Sequence, residues 1–372
     1  MRTRSGRGAA RGRVVGAADH AVVPYAAQRT LGGRWLILGR DGRLTAYART
    51  DGGLLRWTEL RRGGPEWSGP DFFPVADLTD VTVVQGADSY VHFLGRREVR
   101  GAESPAAVDI VHAVQYQTGR PVTEWRSLGN PHRDRAEASR LGVPIAAVSG
   151  SGRVYVFVRG ADGGVIVRRE GPTGKWEPWH VLKGSRARDG LVAVAHPSGR
   201  VELLAGGETI AMRWRQDETD GAFRQDPNIP VRVAPGTVSA LATGPERTTY
   251  YWAAPDGGGF VAHRPGEWAH PLGGAPAGEP LSAVRATLDA YDCTVLAHRD
   301  LEGQVVLAAY GTENEQGGLW WAPTGERLLG SPALALDGFG RVVLAVLDPD
   351  GTLRIARQAD APGLELAPSL RV

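Results

Sequence analysis

A histidine, two carboxylates and two guanidiniums fall within Pro131-His132-Arg133-Asp134-Arg135-Ala136-Glu137. An imidazole beside a carboxylate can act as a general base, and an arginine can hold an anionic group. His132, Asp134 and Glu137 are the catalytic candidates if the chain is an enzyme, with Arg133 as a ligand-holding residue. The same run also reads as a solvated loop that pairs its own charges. A different chemistry is written in Arg56-Trp57 and Arg213-Trp214-Arg215, and in Trp179. An indole offers a flat apolar face with a polar edge, which suits a sugar ring, and a neighbouring guanidinium can bond its hydroxyls. Arginine stems lying over tryptophans between packed sheets would leave the same pattern. Asp80 and Asp189, each just ahead of an apolar run, complete the ligand candidates, and each serves equally well as a turn residue bonding its own backbone.

Other chemistries find no carrier. The nine histidines are scattered, without the paired spacing and third ligand of a metal site. Asp348-Pro349-Asp350-Gly351 lacks the ligand pattern of a calcium loop and reads as a hairpin turn. There is no nucleophile elbow, phosphate loop, dinucleotide fingerprint or sialidase-type aspartate box, so no metal and no cofactor is expected. His298-Arg299-Asp300 reads as a hairpin ion pair, and Cys293, the one cysteine, as a small buried hydrophobe that excludes an internal disulfide. A net charge of +2 gives no reason to expect nucleic acid. No apolar run approaches membrane-spanning length, so no membrane partner is expected either. Residues 1–20 are arginine-rich without an apolar signal region, and are expected to form a disordered basic arm on a cytoplasmic protein.

The elements that must position these residues are short. Val143 to Leu182 holds four apolar runs rich in valine and aromatics, separated by Gly-Ser-Gly, Ala-Asp-Gly-Gly and Pro-Thr-Gly. Such runs are strands joined by tight hairpins. Related units begin near residues 34, 81, 143, 191, 238, 282 and 332. The middle hairpin recurs most clearly, as in GRLTAYARTDGGLLRW (42–57) and GRVVLAVLDPDGTLRIARQ (340–358). A four-stranded repeat of this period is that of a propeller blade. The fold expected is all-β, a seven-bladed β-propeller of four-stranded antiparallel blades, with residues 21–372 as one domain. Ala21–Gln28 belongs to no unit and is expected as a closing strand on the seventh blade. Trp67, Trp125, Trp176, Trp268 and Trp320 follow glycine-containing turns and are expected to anchor the fourth strands between blades, with Phe223 and Leu364 in units four and seven.

Unit two breaks the pattern. Its middle hairpin is opened by Arg96–Val108, and its exit into unit three, Leu128–Gly142, is long. Both insertions belong on one face of the ring, beside the channel mouth, where loops on a rigid scaffold tend to carry function.

Residues 152–179, GRVYVFVRGADGGVIVRREGPTGKWEPW, and MRWRQ at 212–216 resemble the blades of bacterial seven-bladed propellers of the Photorhabdus-lectin type, over roughly residues 30–370. The resemblance implies sugar binding between adjacent blades, with an aromatic ring under the sugar. The seven repeats have diverged from one another, so one or a few specialised sites are expected rather than seven equal ones. The reading is a lectin-like propeller binding a carbohydrate or related polar small molecule. The alternative is a metal-independent enzyme of secondary metabolism (a lyase, isomerase or cyclase) with its site at the channel mouth near blades two and three. A protein-interaction scaffold is a third reading, which no residue specifically supports.

Overall fold

The computed structural model describes residues 26–101, 104–182 and 184–372. Its strands form seven consecutive antiparallel sheets, each meandering in chain order through four strands. The inner strands are Leu36–Leu38, Leu78–Gln85, Ile145–Val148, Leu191–Ala195, Ser239–Gly244, Ser282–Leu288 and Ala333–Leu336. Each touches the inner segments of its neighbours, the seventh against the first, so the sheets close into a ring.

Period-two alternation makes every blade adhesive on both faces. On the second strand of blade three, Val154, Val156 and Val158 pack with blade two, while Tyr155 and Phe157 pack with blade four. The apolar core is accordingly a series of clusters, one at each seam between blades, with the seventh-to-first and first-to-second seams merged around Trp35 and Trp57. The direction of the strands sorts the connections. Turns after the first and third strands lie on one face of the ring; turns after the second strand and exits to the next blade lie on the other.

Among the described residues, closure uses no exchanged strand. Blade seven draws its fourth strand, Leu370–Arg371, from its own segment. Of the expected closing strand, residues 21–25 lie outside the described residues, as does the expected arm at 1–20. Ala27 N–H bonds the Gly351 carbonyl of blade seven at 3.2 Å, but Arg29–Thr30 then pairs with the second strand of blade one. Gly32–Gly33 next runs parallel to the inner strand of blade two. The two glycines are required there: a Cβ would meet Thr82 Oγ1 at 2.9 Å from Gly32 and the Val83 carbonyl at 2.5 Å from Gly33. Side chains finish the seventh-to-first seam. Trp35 Nε1 donates to the Ser331 carbonyl (3.3 Å), Arg341 Nη2 to the Gly63 carbonyl (3.0 Å), and Arg357 pairs with the buried Glu59.

Two expectations about elements need correction. The hairpin of blade two is not opened by a loop at Arg96–Val108: Val91–Gly101 and Ser104–Gln115 stay paired, with Arg97 opposite Asp109 and Val99 opposite Ala107. The insertion lengthens the ladder. Tryptophan anchoring holds for Trp67, Trp125 and Trp176, which pack on the seam clusters, as do Phe223 and Leu364. It fails for Trp268 and Trp320, which are 88% and 83% exposed. In blade six the packed ring is the next residue, Trp321, whose Nε1 donates to the Leu272 carbonyl at 2.9 Å.

Candidate ligand-binding clefts

The third strand of blade four, Ala211–Gln216, alternates Trp214 toward blade three and Arg213 toward blade five. Arg213 is fixed by carboxylates on two sides. Its Nε and Nη2 reach the two oxygens of Glu202 at 3.2 and 2.5 Å, and Nη1 reaches Asp226 at 2.5 Å. Glu202 is itself buried, accepting from Tyr250 Oη at 2.7 Å and lying 3.1 Å from His196 Nε2. Burial opposes its ionisation, yet the His196, Arg213 and Tyr250 contacts outweigh that and bring the carboxyl down to about 2. The guanidinium is thus a charge held in place before any ligand arrives.

Around it lies a cleft of about 560 Å³ between blades four and five. One wall is Asp226-Pro227-Asn228-Ile229-Pro230-Val231, tied back by Ile229 N–H to the Ala211 carbonyl at 2.8 Å. Its prolines cannot extend a ladder, which leaves the edge open. The other wall is the turn between the third and fourth strands of blade five, Pro265-Gly266-Glu267-Trp268-Ala269, with His263 behind it. Gly266 takes a positive φ of 88°, and Trp268 stands out at the rim. Arg264 Nη2 holds Glu267 at 2.6 Å while its Nη1 grips Glu315 at 2.5 and 2.6 Å. That contact keeps the Glu267 carboxyl below its ordinary range, and so a hydrogen-bond acceptor at neutral pH. Burial without a partner for Nδ1 pushes the His263 imidazole down, making it a neutral group there.

Blade one carries the same residue pair with another outcome. Arg56 bonds Asp71 at 2.5 Å and Gln115 at 3.3 Å, and the turn of blade two covers it with the carbonyls of Gly119 (3.2 Å) and Arg120. Trp57 and Trp214 are buried in seam clusters, where no ligand can stack on them. Trp179 is half-buried, donates Nε1 to the Leu128 carbonyl at 3.1 Å and lies under Arg168. Of these candidates, Arg213 alone lines the cleft. Trp268, Glu267, His263 and Asn228 were missed. Their signal was spacing: Trp268 comes three positions after Pro265, which matches Gln216 in the repeat, whereas Trp67 and Trp125 stand eight and ten positions after Glu59 and Gln115. A ring that close belongs to the turn itself.

The Leu128–Gly142 connection builds a second cleft, of about 380 Å³, lined by Arg96, Arg140, Leu141, Val143, Arg159 and Asp189 among others. Asp189 pairs with Arg159 at 2.7 Å, and Asp80 stands 3.7 Å from Arg96. The His132, Asp134 and Glu137 trio does not line it. Asp134 caps the short helix Arg135–Ser139, accepting from Glu137 N–H at 3.0 Å. His132 Nδ1 faces Glu137 Oε2 at 3.3 Å, and its Nε2 accepts from Ala161 N–H at 3.3 Å. Both ring nitrogens of His132 are turned to contacts within the connection and with blade three. Arg133 is exposed. Among the described residues, no group of three or more His, Cys, Asp or Glu is placed to hold a metal.

No family model and no curated protein sequence matches the chain. Solved structures do. The BP39L lectin from Burkholderia pseudomallei is 14% identical and superposes with a TM-score of 0.66, covering 92% of this chain and 100% of the lectin. A polysaccharide lyase, the PL25 ulvan lyase bound to -[GlcA(1-4)Rha3S]-, is 12% identical with a TM-score of 0.54, over 90% of this chain and 95% of the lyase. At such identities the likeness is one of architecture: this chain is a seven-bladed propeller folded like the BP39L lectin.

Proposed function

We propose that the chain is a lectin-like module that binds a carbohydrate, or a related polar small molecule, between blades four and five. The observation that carries this reading is Trp268, an indole left 88% exposed at the rim of a cleft floored by a pre-paired guanidinium. A sugar's C–H face would lie on the indole, with Glu267 accepting from its hydroxyls and Arg213 and Asn228 supplying donors. The likeness to the BP39L lectin supports the assignment. Because Glu202 and Asp226 already flank Arg213, the cleft suits a neutral, hydroxyl-rich ligand. The covered Arg56 fits a small number of sites rather than one per seam. A small polar partner also accords with a net charge of +2, which carries no excess for phosphate backbones.

A glycan array followed by calorimetry of the best hit tests the proposal. Trp268→Ala should weaken binding by about tenfold or more, the scale of one lost stacking contact, with an unchanged melting temperature. An array without binders, or equal affinity in the variant, would overturn it.

A further inference from the structure

The second strand carries an arginine at matching positions in four blades, at or next to the strand's end for Arg49, Arg159 and Arg299 and midway along the lengthened strand of blade two for Arg96. Two of them are turned to partners within the ring. Arg49 Nη1 donates to the carbonyls of Leu78 and Thr79 at 3.0 and 2.7 Å, and Arg299 pairs with Glu279. The other two, in adjacent blades, open onto the 380 Å³ cleft beside the Leu128–Gly142 connection, where Arg140 joins them. We propose that this cleft is a second binding site, one that takes an oxyanion, the carboxylate or sulfate of a small polar molecule.

Charge balance is the first argument. Three guanidiniums line the cleft against one carboxylate, Asp189. Asp189 engages Arg159 through Oδ1, and Asp80 stands behind Arg96 as a more distant counter-charge at 3.7 Å. Arg140 is exposed, bonds the Ala136 carbonyl through Nε at 3.3 Å, and makes no ion pair among the described residues. An arginine fork presents paired donors that match a carboxylate or sulfate.

Fixed geometry is the second. Arg96 is clamped through Nε to the Leu141 carbonyl (3.1 Å) and through Nη2 to the Ser139 carbonyl (3.2 Å), and Arg159 Nη1 bonds the Gly160 carbonyl at 3.1 Å. The rotamers are set before a ligand arrives, which lowers the entropy cost of binding. Leu141, Gly142, Val143 and Ala161 supply apolar wall that partly excludes water and strengthens the ionic contacts. The volume is that of a small-ligand pocket. The two clefts share no lining residue.

The test titrates glucuronate, inorganic sulfate and, as the neutral control, glucose into the full chain at low salt, by calorimetry, with saturation-transfer NMR as a second readout for the two sugars. One of the two anions should bind saturably, and the better one identifies carboxylate or sulfate as the group recognised. Arg140→Ala should weaken it by about tenfold, one charge-assisted contact. Asp189→Asn, which removes the competing carboxylate, should tighten it by about threefold. The proposal is overturned if neither anion saturates, if Arg140→Ala binds as the parent does, or if Asp189→Asn weakens binding. Circular dichroism of both variants guards against loss of fold. Failure here leaves the blade four–five reading intact, because that one is read with Trp268→Ala and neutral glycans.

Discussion

His92 and His112 face each other inside blade two, Nδ1 to Nε2 at 3.1 Å with the rings stacked, and His112 also meets the edge of Trp176. Burial pushes the His92 imidazole down to about 4; burial, then His92 and Arg126, push His112 down to about 3. Both are neutral in the folded ring while the unfolded chain takes up protons below about 6.5. The unfolded state therefore binds more protons between that value and the folded ones, and stability must fall as pH drops through this window and stay flat above it. We expect urea unfolding to show a loss on the order of 2 kcal/mol per histidine between pH 7 and pH 4.5. The double substitution His92→Phe with His112→Phe should reduce that slope, leaving the share of the buried His263 and His298; an unchanged slope would place the protons elsewhere. Single residues were also where sequence reading was weakest. Arg213 was legible because its type and its tryptophan neighbour stand out, but Arg56 has the same tryptophan neighbour and is covered by a turn of the next blade. Whether a guanidinium is open or capped is set by contacts between blades, which local sequence does not encode.

At the scale of elements, the clearest case is the helix Arg135–Ser139 inside the blade two exit. Asp134-Arg135-Ala136-Glu137 looked like a cluster of acid–base groups, yet acid-x-x-Glu is also the signature of a helix start, and that is how the backbone uses it. At five residues the helix cannot persist by propensity alone, so its cap and Ala138 in the core must hold it. Asp134→Ala should cost about 1 kcal/mol, seen as a lower melting temperature, whereas Arg133→Ala should leave it unchanged. The strands were easier to read than this connection, because alternation and glycine turns repeat seven times and each copy corrects the others. The long hairpin of blade two misled for a related reason: extra residues with no counterpart in other blades look like loop until a partner strand of equal extra length is recognised.

The whole molecule is a ring of adhesive seams, and the seventh-to-first seam shows what an unshared strand costs. Glu59 is wholly buried there, accepts from Leu44 N–H at 2.8 Å and pairs with Arg357 from the other end of the chain. Removing the charge takes the near counter-ion from a buried guanidinium and leaves it only Asp337, at 4.0 Å. Glu59→Gln should therefore destabilise the protein by about 3 kcal/mol, the scale for breaking a buried pair, visible as an earlier urea midpoint. The number and type of blades could be read from the repeat, but this seam could not, since its partners lie almost three hundred positions apart. Contiguity of the blades has a further consequence. Ala27 is bonded to Gly351 and Val372 N–H to the Leu353 carbonyl, so the two described ends meet on one short stretch of blade seven. A propeller built this way can be reopened at another exit, by circular permutation, without cutting any sheet. Blades three to seven, each drawn from one run of chain, can also be gained or lost as an uninterrupted piece of gene, a freedom denied to rings whose last blade borrows a strand from the first.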